Sequence, residues 1–345
     1  MEKNLPKIIK NKTFSTAAVF LLIGIFLGFV FTTSPKSPIK VVQSCNTTGS
    51  DTSTEVHAGA YKLINPLYEC NNRESYGVKE FSDLENILNN TIDKITSKNS
   101  VTRVSVYFRD LNNGPWFGIN EKDDFAPSSL LKLPVMMAYF KNAQDDPSIL
   151  TKLIKYNADP KGLIAQNFKP NISLEKGKSY TVEYLIERMI EGSDNVALGL
   201  LEDNIAGADV DKVTQDLGIP TATINTPNDF MNVRNYSGLF RVLFNSSYLN
   251  RNYSEKALEI LSKSEFQDGL VKEIPSNIVV SHKFGERNQA GGLHQLHDCG
   301  IVYYPKRPYL ICIMTKGQDF SDLVSTIDQI SKKVYSEVST RYPVK

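Results

Sequence analysis

An uncharged apolar run near the N-terminus divides this chain into a membrane-crossing end and an exported body. The run extends from Phe14 to Phe31 and reads FSTAAVFLLIGIFLGFVF. As a helix it would be roughly 27 Å long, close to the hydrocarbon thickness of a bilayer. Four lysines precede it, and this bias predicts a cytoplasmic N-terminus. We therefore expect a single-pass protein of the cell membrane, with a basic cytoplasmic tail at 1–13, an anchor at 14–33 and an extracytoplasmic body.

A cleavable signal peptide is the alternative interpretation of the same run. Such a peptide has an apolar region of about 7–15 residues, followed by a cleavage site flanked by small residues. Here the longer run leads into TTSPKSP, which lacks that site, so an uncleaved anchor is favoured. Residues 34–60 are rich in Ser, Thr, Pro and Gly, and the polar segment 34–76 is therefore predicted to be a flexible stalk.

The exported body is close to electrical neutrality. The chain has 345 residues, with 39 basic and 38 acidic side chains, and 41% of its residues are hydrophobic. Residues 1–33 contain four of the basic and one of the acidic side chains, which leaves 35 basic and 37 acidic residues for the remainder. This composition is typical of a globular domain, and it lacks the basic excess of a nucleic-acid-binding protein, so such partners are excluded. It does not indicate an oligomeric state.

Four cysteines in an exported chain are candidates for disulfide bonds. The short-range pairings are Cys45 with Cys70 near the stalk, and Cys299 with Cys312 across an expected hairpin. Because four cysteines allow three connectivities, these pairings are one interpretation among several. Free buried thiols are an equal alternative.

The first part of the body combines an amphipathic helix with a hairpin. Apolar residues recur at spacings of three and four between positions 81 and 95, which predicts a helix. The segment 101–109 alternates and is rich in Val, Tyr and Phe, so it predicts a strand, with 116–119 as its hairpin partner. A long helical region is then expected from about 127 to 265.

Strand patterns return in the last third of the body. They cover 278–283, 299–304 and 309–314, and a final amphipathic helix follows over 323–338. The predicted fold class is therefore α/β (α+β), with one antiparallel sheet flanked by the terminal helices and an all-helical subdomain inserted in the middle. This domain is expected to occupy residues 77–345.

Three Ser-x-x-Lys matches occur, and their surroundings distinguish them. Ser37 lies among prolines in the stalk and Ser173 in a polar loop, whereas Ser129 opens the apolar segment SLLKLPVMMAYF. That segment predicts a buried helix, on which Ser129 and Lys132 share a face. A buried neutral lysine can accept the serine proton once its pKa falls below the ordinary value of about 10.4. The alternative is a serine at a helix N-terminus with a lysine that extends to solvent.

Two short polar motifs follow along the chain. A Ser-Asp-Asn tripeptide at 193–195 comes after a glycine, in an expected break between two helices, and a Lys-Phe-Gly tripeptide at 283–285 closes the strand segment NIVVSHK. The hydroxyl of Ser193 could relay protons, and the amide of Asn195 could hold a substrate carbonyl. Each motif alone is weak, because Ser-Asp-Asn is a common composition at a helix start.

The order and spacing of the three motifs carry more information than any one of them. Ser-x-x-Lys on a buried helix, Ser-Asp-Asn about sixty residues later and Lys-x-Gly on a strand about ninety residues further on resemble the penicillin-recognising serine hydrolases. The sequence is most similar to their class A β-lactamase-type catalytic domain, over residues 77–340. The predicted order of elements agrees with the sheet and inserted helical subdomain of that β-lactamase/transpeptidase-like fold.

The resemblance implies a role for each candidate residue. Ser129 would be the nucleophile that forms an acyl-enzyme, and Lys132 the acylation base, although that assignment is disputed in the family. Ser193 would assist proton transfer to the leaving nitrogen, and the backbone N–H groups of Ser129 and Glu286 would form the oxyanion hole. The expected substrate-binding residues are Asn195, Lys283, Gly285 and Arg287. Of these, Asn195 would position the acyl side chain and Lys283 would supply positive charge. No metal and no cofactor is implied.

Two departures from the family pattern affect the expected activity. Phe284 replaces the hydroxyl residue that commonly binds the substrate carboxylate, and Arg287 is a candidate to compensate. The segment 217–240, which matches the family's omega loop, contains no glutamate for deacylation, and Asp229 is its only acid. A turn or helix-cap role is the favoured interpretation of Asp229. Because a positioned general base contributes about 10²–10⁴ in rate, hydrolysis of the acyl-enzyme is expected to be slow.

The sequence therefore predicts a serine hydrolase that opens a β-lactam amide through an acyl-serine intermediate. The alternatives are a D-alanyl-D-alanine carboxypeptidase or penicillin-binding protein acting on cell-wall peptides, and a non-catalytic sensor of β-lactams or muropeptides. Retention of Ser129 and Lys132 argues against the sensor. A Ser-His-Asp hydrolase is not favoured, because no G-x-S-x-G motif occurs. A metal site at His294 and His297 is not favoured either, because residues three apart on a strand point to opposite faces.

Overall fold

A five-stranded antiparallel sheet lies at the centre of the described part of the chain. The computed structural model describes residues 61–65, 80–98, 100–112, 114–163, 166–221, 228–289 and 291–344. The strands in these ranges are β1 (Val101–Asp110), β2 (Trp116–Ile119), β3 (Leu153–Lys155), β4 (Ser179–Thr181), β5 (Val280–Gln289), β6 (Leu293–Val302) and β7 (Tyr309–Gly317). The spatial order of the large sheet is β2–β1–β7–β6–β5, and β3 pairs separately with β4. β5, which carries the third motif, is therefore an edge strand.

Helices cover both sides of this sheet. They are α1 (Ser82–Thr96), α2 (Lys132–Ala143), α3 (Val182–Glu191), α4 (Asn195–Glu202), α5 (Gly207–Asp216), α6 (Val233–Phe244), α7 (Arg251–Leu261) and α8 (Phe320–Arg341). Two short 3₁₀ turns, Ser128–Leu131 and Pro147–Thr151, precede and follow α2. The terminal helices α1 and α8 share one core with the sheet, and α2 to α7 belong to the other side.

Alternate side chains of β7 enter these two different cores. Leu310, Cys312 and Met314 pack with the middle helices, whereas Tyr309 and Ile311 pack with α1 and α8. The sequence of a strand that is buried on both faces is a nearly continuous apolar run, and the sequence of β7 has this form. The predicted antiparallel sheet with flanking terminal helices is confirmed by this arrangement.

β5 and β6 extend well beyond their predicted limits. Their strand patterns cover only 278–283 and 299–304, whereas both strands continue to the turn between Gln289 and Leu293. The added residues include FGERNQ and LHQLHD, whose polar side chains interrupt the apolar alternation. Many of these polar groups are hydrogen-bonded within the protein, which is why a strand can include them.

The block between β2 and β5 is mostly helical but not entirely so. β3 and β4 pair over three residues each, which is too short to give a periodic signal in the sequence. Its central element is α2, in which ten of twelve residues are buried. The prediction of a buried helix after Ser129 is therefore confirmed, and the expectation of an all-helical insert is corrected by the small β3–β4 sheet.

The predicted tail, the anchor at 14–33 and most of the predicted stalk lie outside the described residues. Within the part that the structure describes, no helix is both long and apolar enough to cross a bilayer. Residues 61–65, which fall within the predicted stalk, pack on the body. The carboxylate of Glu255 in α7 accepts hydrogen bonds from the backbone N–H groups of Lys62, Leu63 and Ile64 at 2.7–3.0 Å.

Of the two predicted disulfides, the one whose cysteines both lie in the described ranges is present. Cys299 of β6 and Cys312 of β7 face each other in register and are bonded, with a sulfur–sulfur distance of 1.97 Å. Both residues are fully buried. The pairing of Cys299 with Cys312 is thus confirmed, and the predicted partners Cys45 and Cys70 lie outside the described residues.

Candidate active site

Ser129 lies in a strained turn directly before α2. Its neighbour Ser128 has a φ angle of +51°, a left-handed conformation that a residue with a side chain rarely adopts. Ser129 itself is half-buried within the 3₁₀ turn Ser128–Leu131, and Tyr236 of α6 donates a hydrogen bond to the carbonyl of Leu130 at 3.0 Å. Side chains three apart in a 3₁₀ turn eclipse each other, so this turn places the Ser129 hydroxyl over Lys132.

The amine of Lys132 is the centre of the site. Its Nζ lies 3.2 Å from Ser129 Oγ, 3.1 Å from Ser193 Oγ, 2.6 Å from the Ser193 carbonyl oxygen and 2.7 Å from Asn195 Oδ1. Ser193 lies 61 positions and Asn195 63 positions beyond Lys132 along the chain, and the break between α3 and α4 brings both of them to α2. The structure therefore brings Ser129, Lys132, Ser193 and Asn195 together, as the sequence predicts.

Burial makes the neutral form of Lys132 accessible near neutral pH. The side chain is only 1% exposed, and desolvation lowers the pKa of Lys132 to about 7, although the charges of Asp194 and Glu286 oppose the shift. A neutral amine keeps two N–H donors and one lone pair. The two shortest contacts, to the Ser193 carbonyl and Asn195 Oδ1, can take the donors. The lone pair is then available to the Ser129 hydroxyl.

The Ser-Asp-Asn turn has the local features of a helix start. Asp194 caps α4, because its carboxylate accepts hydrogen bonds from the N–H groups of Val196 and Ala197. Ser193, directly before the cap, is fully buried and has a φ angle of +52°. Its Oγ lies within hydrogen-bond distance of the amines of both Lys132 and Lys283, at 3.1 and 3.0 Å. Because both donors of neutral Lys132 are used elsewhere, Ser193 Oγ accepts its hydrogen bond from Lys283 and retains its own proton as a donor.

Lys283 lies on β5 beside Ser193 and is fully buried. Its Nζ donates to Ser193 Oγ and, at 2.9 Å, to the carbonyl of Phe284. Desolvation and the nearby amine of Lys132 lower the pKa of Lys283 well below its ordinary value. The surroundings therefore disfavour the positive charge expected of Lys283, and its contacts fit the orientation of the Ser193 hydroxyl.

Gly285 allows β5 to approach the Ser129 turn. A Cβ atom at this position would lie 3.0 Å from the carbonyl oxygen of Pro127 and 3.2 Å from the backbone nitrogen of Leu130. These are backbone atoms, which cannot move aside as a flexible side chain can. The glycine thus places the backbone of β5 against the turn that contains Ser129, where the N–H groups of Ser129 and Glu286 are predicted to form the oxyanion hole.

The contacts of Arg287 and Asp229 do not involve the other candidate residues. Arg287 donates a hydrogen bond to the side chain of Asn228 at 3.3 Å. Asp229 receives hydrogen bonds from Gln295 and Lys316, each at 2.9 Å. Burial opposes the charge of Asp229, but these hydrogen bonds outweigh it and lower its pKa. Both carboxylate oxygens are occupied in a structural ion pair, which favours a structural role over that of a deacylation base.

The loop between β3 and β4 contributes residues that no sequence pattern predicts. Gln166 donates a hydrogen bond from Nε2 to the Ser193 carbonyl at 2.7 Å, the same oxygen that Lys132 binds. The carboxylate of Glu286 accepts hydrogen bonds from Asn167 and from the N–H of Phe168. No motif or periodicity in the sequence identifies this loop as part of the site. The one available signal is its glutamine and asparagine side chains, which can form hydrogen bonds.

The competing Ser-x-x-Lys match at Ser173 does not form a site. Ser173 is exposed, and Lys176 forms an exposed ion pair with Asp159 at 2.6 Å. The third match, at Ser37, lies outside the described residues. Of the two matches within the described residues, Ser129 is the one whose lysine is buried beside it.

The two histidines considered as metal ligands have separate hydrogen-bond partners. His294 contacts the side chain of Asn288, whereas His297 is buried and contacts the Ala126 carbonyl at 3.0 Å. Burial lowers the pKa of His297 to about 4. Within the described ranges, no group of three or more His, Cys, Asp or Glu side chains could hold a metal ion.

Comparison with known proteins identifies a family. A family model described as the Beta-lactamase enzyme family matches residues 85–338. Among proteins of curated function, no sequence match was found.

Solved structures share the fold at low sequence identity. The structure of PBP-A is 22% identical with a TM-score of 0.62, over 74% of this chain and 96% of PBP-A. A variant of PBP-A, described as an acyl-enzyme complex with penicillin G, is 21% identical with a TM-score of 0.62, over 74% and 97% of the two chains. A class A β-lactamase representative from Bacteroides cellulosilyticus is 20% identical with a TM-score of 0.63, over 74% and 99%.

Proposed function

Because the chain belongs to the Beta-lactamase enzyme family and is thus a serine hydrolase of the penicillin-recognising superfamily, we propose that it opens a β-lactam amide through an acyl intermediate on Ser129. The observation that carries this proposal is the position of the Lys132 amine, within hydrogen-bond distance of Ser129, Ser193 and Asn195. A buried amine between a candidate nucleophile and a second hydroxyl can both remove and return a proton.

Acylation follows from these contacts in one sequence of proton transfers. The neutral amine of Lys132 takes the proton of Ser129, whose Oγ attacks the carbonyl carbon of the lactam. The N–H groups of Ser129 and Glu286 stabilise the oxyanion that forms. As the carbon–nitrogen bond breaks, Ser193 passes its proton to the leaving nitrogen and is reprotonated by Lys132. Asn195, held by Lys132, positions the acyl side chain.

Slow deacylation is the second part of the proposal. The segment 217–240 contains no glutamate, and its one acid, Asp229, is bound by Lys316 and Gln295. Hydrolysis of the acyl-enzyme therefore proceeds without a dedicated base in this segment. The same observation favours a second candidate function, a D-alanyl-D-alanine carboxypeptidase or penicillin-binding protein whose natural substrate is a cell-wall peptide.

An extracytoplasmic position fits either substrate. The proposal that residues 14–33 anchor the protein, with the catalytic domain outside the membrane, rests on the apolar run and the lysines before it. The disulfide between Cys299 and Cys312 supports this placement, because disulfides persist in oxidising compartments.

The test is a time course of intact mass for the full chain in detergent, mixed with penicillin G. That ligand is chosen because the PBP-A variant is described in complex with it. We expect one penicilloyl adduct per chain, and we expect that adduct to persist for hours. It should be absent from the Ser129→Ala variant. Rapid consumption of penicillin without an accumulating adduct would refute slow deacylation. No adduct and no consumption would reject the proposed chemistry and leave the sensor.

A further inference from the structure

An aromatic wall lies along the Lys283 side of the candidate site. It consists of Phe168, Phe266, Phe284 and Phe320, and Phe168 is in contact with each of the other three rings, at centroid distances of 4.6 to 5.8 Å. Phe284 stacks on Phe266 at 4.5 Å and is only 2% exposed. The third motif therefore presents a buried ring where its family pattern has a hydroxyl.

Glu286 fixes Phe168 in this wall. Its carboxylate accepts hydrogen bonds from Asn167 N at 3.1 Å, Asn167 Nδ2 at 2.8 Å and Phe168 N at 3.1 Å. Gln166, the preceding residue, is bound to the carbonyl of Ser193. The segment 166–168 thus joins β5 to the Ser193 turn. Charge-assisted hydrogen bonds hold the ring of Phe168 in place in addition to its apolar contacts.

Two hydrogen bonds within the protein engage the amine of Lys283. The neutral amine, which burial favours, has two N–H donors. One is directed to Ser193 Oγ, one to the carbonyl of Phe284, and the Nζ also lies 4.2 Å from the centroid of the Phe284 ring. The side chain is fully buried. Lys283 is consequently a poor partner for an anionic group on a substrate.

The chemistry of the proposed reaction places a substrate carboxylate near these residues. In a penicillin, and equally in D-alanyl-D-alanine, the carboxylate is attached to the carbon that is bonded to the leaving nitrogen. Ser193 is the residue proposed to protonate that nitrogen, and Lys283 lies 3.0 Å from its hydroxyl. The group on that carbon therefore faces the Lys283 side of the site, where the Phe284 ring lies against the Lys283 amine and the negative charge of Glu286 acts on that amine.

Arg287 is poorly placed to replace the missing hydroxyl. It lies three residues beyond Phe284, the position of the missing hydroxyl, on an extended strand, roughly 10 Å along the backbone. Its guanidinium binds Asn228 instead. The other nearby basic side chain, Lys316, is paired with Asp229 at 2.9 Å. Neither of these cations contacts the aromatic wall.

We propose that Phe168, Phe284 and Glu286 make the enzyme selective for substrates whose group beside Lys283 is uncharged, such as an ester or an amide in place of a free carboxylate. This inference rests on the proposed acylation of Ser129 and names its substrate class. A carboxylate there would lose water without gaining a charge-assisted hydrogen bond, which costs more than burial of a neutral ester.

The test compares penicillin G with its methyl ester on the full chain in detergent. The second-order rate of adduct formation is measured by intact mass and divided by the rate of alkaline hydrolysis of each compound, which corrects for intrinsic reactivity. We expect the ester to acylate the wild-type enzyme at least about tenfold faster than the acid, the factor that corresponds to one missing hydrogen bond to a charged group. This comparison needs no variant, so a folding defect cannot obscure it.

Two variants separate the wall's chemistry from its shape. Phe284→Thr restores a hydroxyl, and we expect its preference to shift toward the acid by about tenfold. Phe284→Leu keeps an apolar side chain, and we expect it to retain the preference for the ester. Equal or faster acylation of the wild type by the acid would overturn the inference. Acylation by neither compound would overturn the proposed function itself and this inference with it.

Discussion

At the scale of single residues, the buried hydroxyl of Ser193 connects two lysines. Lys132 and Lys283 approach it at 3.1 and 3.0 Å, and neither lysine is more than 1% exposed. Two ammonium groups so close together in a buried site would repel each other, so at least one amine is favoured in its neutral form. Lys132, whose pKa is lowered to about 7, also contacts the nucleophile and is the better candidate for the base.

The first prediction concerns the pH dependence of acylation. Because the pKa of Lys132 is lowered to about 7, its amine is protonated below that pH and cannot accept the proton of Ser129. We expect the acylation rate to rise with pH, about tenfold per unit below the pKa, and to level off above it. Rapid-quench mass spectrometry with penicillin G between pH 5 and pH 9 measures the profile.

Lysine variants provide the control for that profile. We expect Lys132→Met to lose about 10²–10⁴ in acylation rate. Lys176→Met, altered in the Ser-x-x-Lys match that forms no site, should keep the wild-type profile because Lys176 is exposed. A rate independent of pH over this range would contradict the role assigned to Lys132.

At the scale of structural elements, the approach of β5 to the Ser129 turn depends on one glycine. In the variant Gly285→Ala, the new Cβ would meet backbone atoms of Pro127 and Leu130 at 3.0–3.2 Å. Because a misplacement of about 1 Å can cost about 10²-fold in rate, we expect acylation to slow at least about tenfold. The Gly238→Ala variant has open space at its Cβ and should acylate normally. Equal rates for the two variants would refute the close approach.

The connection between Asp229 and Lys316 gives a second prediction at this scale. We expect Asp229→Asn to lower the free energy of unfolding by about 1–3 kcal/mol, because it weakens hydrogen bonds within a partly buried ion pair. The lifetime of the acyl-enzyme should change less than about twofold, since Asp229 is not the proposed base. Urea unfolding and the decay of the adduct give the two readouts. An adduct that survives tenfold longer in the variant would identify Asp229 as a deacylation base.

Much of the fold was predictable, because long apolar periodicities identify buried elements. The helix after Ser129 and the strand at 309–314 were found this way. Contacts made by single polar residues were not predictable. Glu286 meets Asn167 across 119 positions of sequence, and no local pattern relates them. The same holds for Gln166, whose contact with Ser193 depends on the path of an irregular loop.

For the candidate residues too, the motifs predict which residues belong to the site, but they do not predict every contact that those residues make. Ser129, Lys132, Ser193 and Asn195 meet because three motifs with defined spacing occur on elements that the fold brings together. Arg287 was predicted from its sequence proximity to the third motif, but side-chain direction and the presence of Asn228 decide its contacts. The order and spacing of motifs therefore predict which residues lie in the site better than they predict the hydrogen-bond partners of each side chain.

At the scale of the whole molecule, the buried disulfide joins two neighbouring strands of the sheet. We expect Cys299 and Cys312 to resist alkylation in denatured, unreduced protein and to react after reduction, because they are bonded to each other. Mass spectrometry of peptides from the alkylated chain measures this. Full alkylation without a reductant would contradict the bond and weaken the support it gives to an extracytoplasmic location.

The central claim is that the acyl group forms on Ser129. Full-length protein treated with penicillin G is digested, and the modified peptide is fragmented in a tandem mass spectrometer. The account predicts a penicilloyl group on the Ser129 side chain, and no modified peptide from Ser129→Ala. A penicilloyl group on Ser193 or elsewhere, or one that persists in Ser129→Ala, would contradict it.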